Sequence, residues 1–190
     1  RFILIDNIEN LNKNSINALL KIVEEPKKNL FFILIHNNQT KILPTLISRC
    51  LTFNINLNFN EVVSISNKIT KKNIFEILNE NLINHYSSPG QIVRLINYSN
   101  EKKIDLKNLS LENLLINLID NNSYKKNTYV KELLIDLIQL FFLNKYKLSH
   151  NKKNYINLYH EFMLKIYNTN KFNLDEESLF LEFKTKLLNV

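Results

Sequence analysis

Arg49 is the side chain of this sequence best suited to act beyond its own fold. It stands between Ser48 and Cys50, directly before an apolar, strand-like segment from Leu51 to Ile55. A guanidinium keeps its charge at any physiological pH, and its planar fork can grip a phosphate at two points. Two further polar positions close apolar runs: Asp6-Asn7 after Phe2 to Ile5, and His36-Asn37-Asn38 after Leu30 to Ile35. An acidic residue at one strand end, amides at the next and an arginine shortly after is the layout of a nucleotide-handling α/β domain. An arginine near a subunit edge can reach a phosphate bound by a neighbour. Each position also has a plainer reading. Arg49 can sit in an intramolecular salt bridge, Asn37 can cap or turn in an asparagine-rich chain, and Asp6 can end a strand. His36 has no partner ligands at metal spacing. Cys50 lacks the His or Asn pattern that would activate a thiol.

The elements that must position these residues can be read from periodicity. Phe2-Ile3-Leu4-Ile5 is a continuous apolar run, as expected of a parallel strand buried on both faces. Ile16, Leu19, Leu20 and Val23 then share one helical face, with Asn14 or Ser15 as cap and Pro26 as a stop. Leu30 to Ile35 is the next strand, 41–48 a short helix with Pro44 in its first turn, and Cys50 to Ile55 a last strand. Strand, helix, strand, helix, strand predicts a parallel α/β sheet. After Asn56 only helices are expected, over 58–70, 73–85, 89–98, 110–121, 128–147, 153–168 and 175–188. Ser87-Ser88-Pro89 is a helix start. The leucine and aromatic stripes of the later helices read as core, among them Leu111, Leu114, Leu115 and Leu118, then Tyr155, Leu158, Tyr159, Phe162 and Ile166.

Composition narrows the class. The chain has 190 residues, 45% of them hydrophobic, which suffices for one or two packed domains. One glycine and three prolines favour long helices with short links over an all-β fold. The net charge of +7 and the pI near 9.3 permit contact with a polyanion, though a lysine-rich bias yields the same numbers. A single cysteine excludes an internal disulfide and a cysteine-based zinc site, and fits a reducing compartment. No apolar run approaches the roughly 20 residues of a spanning helix, so no membrane contact is expected. Arg1 leads directly into a strand, with no GxxxxGK[ST] anywhere. A fold opening on a buried strand beside an Asp is expected to be a fragment.

FILID at 2–6, NALLKIVEEP at 17–26, FFILIHNN at 31–38, ILPTLISRC at 42–50 and SSPGQIVRLINYS at 87–99 stand in an order and spacing that resembles the clamp-loader branch of the AAA+ ATPases, most of all its delta-prime type. The resemblance covers about half of the chain. It implies the second half of an AAA+ α/β domain over 1–57, a three-helix lid over 58–107 and a helical collar for oligomerisation over 108–190. Asp6 falls on the Walker B strand, Asn37 on sensor 1, Ser48-Arg49-Cys50 on the arginine-finger motif. Lys13 lies near a helix start that in this family lines the DNA chamber. The departures are informative. Asn7 follows Asp6 where an active site has glutamate, and Gly90 stands where ATP-binding subunits carry the sensor 2 arginine. Arg94 lies one turn later. The resemblance thus implies a non-hydrolysing, cytoplasmic subunit that binds no cofactor of its own. Its Arg49 would serve ATP and magnesium on a neighbour. Partners would be the gamma/tau and delta subunits, the sliding clamp and primer-template DNA, in DNA polymerase III replication. An ATP-hydrolysing gamma/tau-type subunit and a plain helical nucleic-acid-binding module remain the alternatives.

Overall fold

The computed structural model of the protein describes residues 1–37, 42–125 and 127–188. It divides into two compact units, 1–56 and 57–190.

In the first unit, strand β1 (Phe2–Ile5) pairs in parallel with β2 (Phe31–Leu34), Phe2 opposite Phe31 and Ile5 opposite Leu34. Helix α1 (Lys13–Glu24) connects them, and the short helix α2 (Pro44–Ile47) follows. Alternation along each strand sends Ile5, Phe32 and Leu34 toward a small core of Ile8, Ile16, Leu19 and Leu46. Both helices contribute to that one face. The opposite face keeps Phe2, Leu4, Phe31 and Ile33 exposed at 72, 62, 56 and 48%. The expectation of a strand buried on both faces therefore fails: no other described element of this unit covers the second face.

The predicted third strand is also absent. Residues 51–58 carry no regular structure, and Leu51, Phe53 and Ile55 are 81–88% exposed. Their period-2 alternation is a strand pattern, but a strand exists only where its amides find a partner, and β1 pairs with β2 alone. Capping differs as well. Asn12, not Asn14 or Ser15, caps α1, its side chain accepting from the Ser15 amide at 2.9 Å. The short helix predicted over 41–48 begins at Pro44, and Lys41 lies outside the described residues.

The second unit is all-helical: α3 (Phe59–Thr70), α4 (Ile74–Ile77), α5 (Pro89–Lys102), α6 (Leu111–Asp120), α7 (Thr128–Leu148), α8 (Lys152–Phe172) and α9 (Glu176–Leu187). The helix expected over 73–85 shrinks to α4 and a 3-10 turn at Glu80–Leu82, each started by an asparagine side chain. Such local hydrogen bonds compete with a continuous helix. Capping boxes start α3 (Asn58 with Glu61) and α5 (Ser88 with Gln91, Pro89 at the first turn). One continuous core runs from Val62 to Phe183 through Leu95, Leu115, Leu134 and Phe162. The 100–107 stretch lies inside this compact unit, with Leu106 buried. Leu111, Leu114, Leu115 and Leu118 are core as read from the sequence. In the α8 stripe Phe162 and Ile166 are buried and Leu158 and Tyr159 pack, partly buried, against the same core; Tyr155 and Tyr159 also line a cavity.

Candidate functional site

Parallel pairing brings the carboxyl ends of β1 and β2 side by side, the edge at which open α/β sheets bind ligands. The amide of Ile8 donates to the Ile35 carbonyl at 3.0 Å and that of Ile35 to Ile5 at 2.9 Å, so the register continues past both strands. Asp6-Asn7 and His36-Asn37 therefore meet. Asn7 adopts the left-handed conformation (φ 50°, ψ 53°), which asparagine tolerates better than glutamate does. Its amide donates to the Asp6 carboxylate at 2.9 Å. The side-chain amide of Asn37 donates to the Asn7 side-chain oxygen. The Asn37 backbone amide donates to a Glu9 carboxylate oxygen at 3.2 Å, while the other Glu9 oxygen is buried without a partner. Sequence reasoning overlooked Glu9; its signal was a carboxylate two residues past a degenerate acidic pair.

Most polar groups of this cluster bond to one another, and one Glu9 carboxylate oxygen stays unpaired. Asp6 engages its neighbour's amide, and Asn7 and Asn37 engage one another. The described residues contain no group of three His, Cys, Asp or Glu able to hold a metal ion. His36 stands partly buried beside Asn37. Lys13 is the first residue of α1, exposed at a helix start.

Arg49 lies at the far end of α2, held by three neighbours. One terminal nitrogen donates to the Thr45 carbonyl at 2.7 Å and to Ser48 Oγ at 3.3 Å; the other pairs with the Glu24 carboxylate at 2.6 Å. The EEP end of α1 and the SRC turn are thus joined by one ion pair. The salt-bridge reading of Arg49 is the geometry observed. Yet both side chains are well exposed, at 38 and 47%. Such pairs contribute about 0–1 kcal/mol, so the fork can be given up to a stronger anion at little cost. Cys50 packs, partly buried, against the small core. Ser48 Oγ donates to the Thr45 carbonyl at 3.0 Å, fixing the turn that presents Arg49.

In the helical unit, Arg94 is committed to structure. It bridges α5 to α7 through Asp136 at 2.9 Å and Glu132 at 3.2 Å, while the Tyr129 hydroxyl donates to its carbonyl at 2.6 Å. Gly90 has open space around it: a side chain there would meet nothing nearer than Ser88 Oγ at 3.8 Å. Its place in the first turn of α5 neither requires glycine nor forbids a longer residue.

Fold and site define a small parallel α/β unit with a quiescent polar strand edge and an exposed arginine, followed by a helical unit. Residues 1–59 match the family model described as DNA polymerase III, delta subunit. The chain is 45% identical over 87 residues to DNA polymerase III subunit gamma of Buchnera aphidicola subsp. Baizongia pistaciae, covering 44% of this chain and 24% of that protein. It is 46% identical over 55 residues to subunit delta' of the same organism, covering 29% and 16%. It is 31% identical over 157 residues to subunit gamma of Buchnera aphidicola subsp. Schizaphis graminum, covering 79% and 38%. These matches support a relationship to the clamp-loader subunits of DNA polymerase III, with gamma, delta' and tau represented together. The chain spans 16–38% of the length of these three relatives. No solved structure gives a significant match. No helix among the described residues is long and apolar enough to cross a membrane.

Proposed function

We propose that this chain is part of a delta-prime-type clamp-loader subunit: the second half of an AAA+ α/β domain over 1–57, then lid and collar helices. It assembles in the cytoplasm with gamma/tau and delta subunits. It supplies Arg49 to the ATP of a neighbour, and so takes part in loading the sliding clamp on primed DNA. It does not hydrolyse ATP itself. The single observation that carries the reading is the contrast between the two polar sites. At the strand edge Asn7 replaces the carboxylate that would orient a water, and its side-chain oxygen accepts from Asn37. At the SRC turn the arginine is intact, exposed and restrained only by surface partners. A protomer with a quiet cis site and a kept trans arginine is a stator. What supports the gamma/tau-type reading instead is the set of relatives named subunit gamma, one of them aligned over 79% of this chain.

The test uses the full-length subunit that contains this sequence. Arg49→Ala should leave folding and assembly intact, since an exposed side chain contributes little to its core. The DNA- and clamp-stimulated ATPase of the reconstituted complex should fall, by about 10³ at the one site that borrows the arginine and partially overall. Arg49→Lys should rescue poorly for lack of the planar fork. If Arg49→Ala assembles and loads clamps at the wild-type rate, the arginine is structural. Turnover by the isolated full-length subunit at a motor-like rate would replace the stator with the gamma/tau reading.

A further inference from the structure

A cavity of about 390 Å³ lies between α5, α7 and α8, apart from both polar sites. Aliphatic side chains make most of its wall, and Tyr86, Tyr146, Tyr155 and Tyr159 also line it. Tyr86, Gln139 and Ile156 are exposed lining residues, so the cavity opens to solvent. Apart from the tyrosine hydroxyls, Asp136 is the one ionisable side chain among its described lining residues. One oxygen of this partly buried carboxylate accepts from Gln91 Nε2 at 3.0 Å, the other from Arg94 Nη2 at 2.9 Å. Arg94 is shared, since its other terminal nitrogen pairs with Glu132 at 3.2 Å. One guanidinium between two carboxylates leaves this group with a net negative charge. Each Asp136 oxygen also keeps a lone pair beyond the bond it makes. Lys152 is not among the lining residues, but its Nζ lies 5.4 Å from the centroid of the Tyr146 ring, so one of the four rings already accepts a cation.

We infer that this cavity binds a small organic cation: an ammonium on an apolar body, its charge toward Asp136 and its body against the aliphatic wall. Pure hydrocarbon would cover the free lone pairs of Asp136 and leave them unsatisfied, a penalty that a donor removes. An anion would meet the one ionised lining group with the wrong sign. A cation satisfies the carboxylate, and tyrosine rings add to its attraction. The volume sets the body. An apolar cavity of about 150 Å³ holds a benzene ring, so this one admits a phenyl group with an alkyl arm. Cavities of this size, mostly apolar with a few converging polar groups, are the usual form of small-molecule sites. A peptide lysine carries the same ammonium, but its bare alkyl stem would leave most of the wall uncovered, which favours a free amine. The cavity lies wholly within the helical unit and does not depend on the reading of Arg49.

Two-dimensional NMR titration of the full chain with 4-phenylbutylamine, 4-phenylbutanol and 4-phenylbutyrate tests the inference at about pH 7, where the amine and the acid are both charged. The amine should bind with a Kd of about 1 mM or below and shift lining residues, Leu140 and Leu143 among them. It should bind at least about fivefold more tightly than the alcohol, with the carboxylate weakest. Nα-acetyl-lysine amide, which lacks the phenyl group, should bind at least about tenfold more weakly than the amine. Asp136→Asn keeps an oxygen for Gln91; it should bring the amine down to the level of the alcohol and leave the alcohol within about twofold. Glu112→Gln, the same charge change outside this cavity, should alter neither. Tyr155→Leu should cost the amine about twofold to fivefold and the alcohol less, and it decides the matter if Asp136→Asn fails to fold. Absence of saturable binding, shifts confined to residues outside the lining, equal affinity for the alcohol, the carboxylate or the lysine amide, or an amine as indifferent to Asp136→Asn as to Glu112→Gln would each overturn the assignment.

Discussion

The Arg49–Glu24 pair turns the stator reading into a measurable quantity. If Arg49 is to serve a neighbour, it must leave Glu24 cheaply. Both side chains are 38–47% exposed, so the coupling between them should be about 0.2–1 kcal/mol, despite a separation of only 2.6 Å. A double-mutant cycle of Glu24→Ala, Arg49→Ala and the double variant isolates it. Amide exchange of Phe31 and Ile35, which donate to Arg1 and Ile5 at 2.9 Å, reports opening of this unit. Arg49→Ala also loses the Thr45 and Ser48 contacts, so its own cost should exceed that of Glu24→Ala by about 0.5–1.5 kcal/mol. In a reconstituted complex, Glu24→Ala should leave stimulated ATPase unchanged or raise it by up to about fivefold, the factor that corresponds to 1 kcal/mol of released restraint. A coupling above about 2 kcal/mol would refute the reasoning, because the pair would then be too strong to part. So would Glu24→Ala depressing ATPase as far as Arg49→Ala does.

Two further outcomes follow from the helical unit. Asn58→Ala removes the side-chain half of the α3 capping box, in which Asn58 Oδ1 accepts from the Glu61 amide at 3.0 Å, and leaves the Asn58 backbone amide donating to the Glu61 carboxylate at 2.8 Å. It should cost about 1 kcal/mol, a fall of roughly 3–5 °C in melting temperature by calorimetry or circular dichroism. Burial, and then the carboxylates of Glu177, Asp175 and Glu176, push the Tyr124 hydroxyl up from 10.0 to about 12. A raised folded-state value means that its stabilising effect is complete below pH 10 and is lost as pH rises toward 12. Stability measured by urea titration should therefore decline above pH 10. Tyr124→Phe should remove part of that decline, and Tyr98 and Tyr129, both raised first by burial, keep the rest.

What the sequence disclosed depended on whether the signal was local. Long amphipathic helices declared themselves, because their stripes and caps lie within a few residues: Ser88-Pro89 starts α5 as read, and Leu111 to Leu118 is core. The strand pair Phe2–Ile5 and Phe31–Leu34 was also legible from apolar runs. What failed was non-local. Leu51 to Ile55 has the alternation of a strand, but pairing is decided by a partner elsewhere. Tyr155 and Tyr159 keep helical spacing, and Tyr159 packs on the core as read, but only the packing of α5, α7 and α8 decides that both also border a cavity. At the candidate site, Asp6, Asn37 and Arg49 could be nominated by type and position. Their partners could not: Glu9 reaches Asn37 across 28 residues, and Glu24 reaches Arg49 across 25. Those contacts are made by the fold, and no spacing in the chain announces them.

The exposed segment that follows Cys50 bears on how this chain behaves in concentrated solution. Leu51, Phe53 and Ile55 alternate with polar residues in an exposed stretch outside regular structure, with no charge among residues 50–57. That is the composition of a steric-zipper seed, in which identical segments from many molecules stack in register. A net charge of +7 holds molecules apart at long range, yet these eight residues add nothing to it. Solubility should thus be governed by a short window rather than by the isoelectric point. A single gatekeeping lysine at Phe53 should delay fibril formation more than several charges added elsewhere.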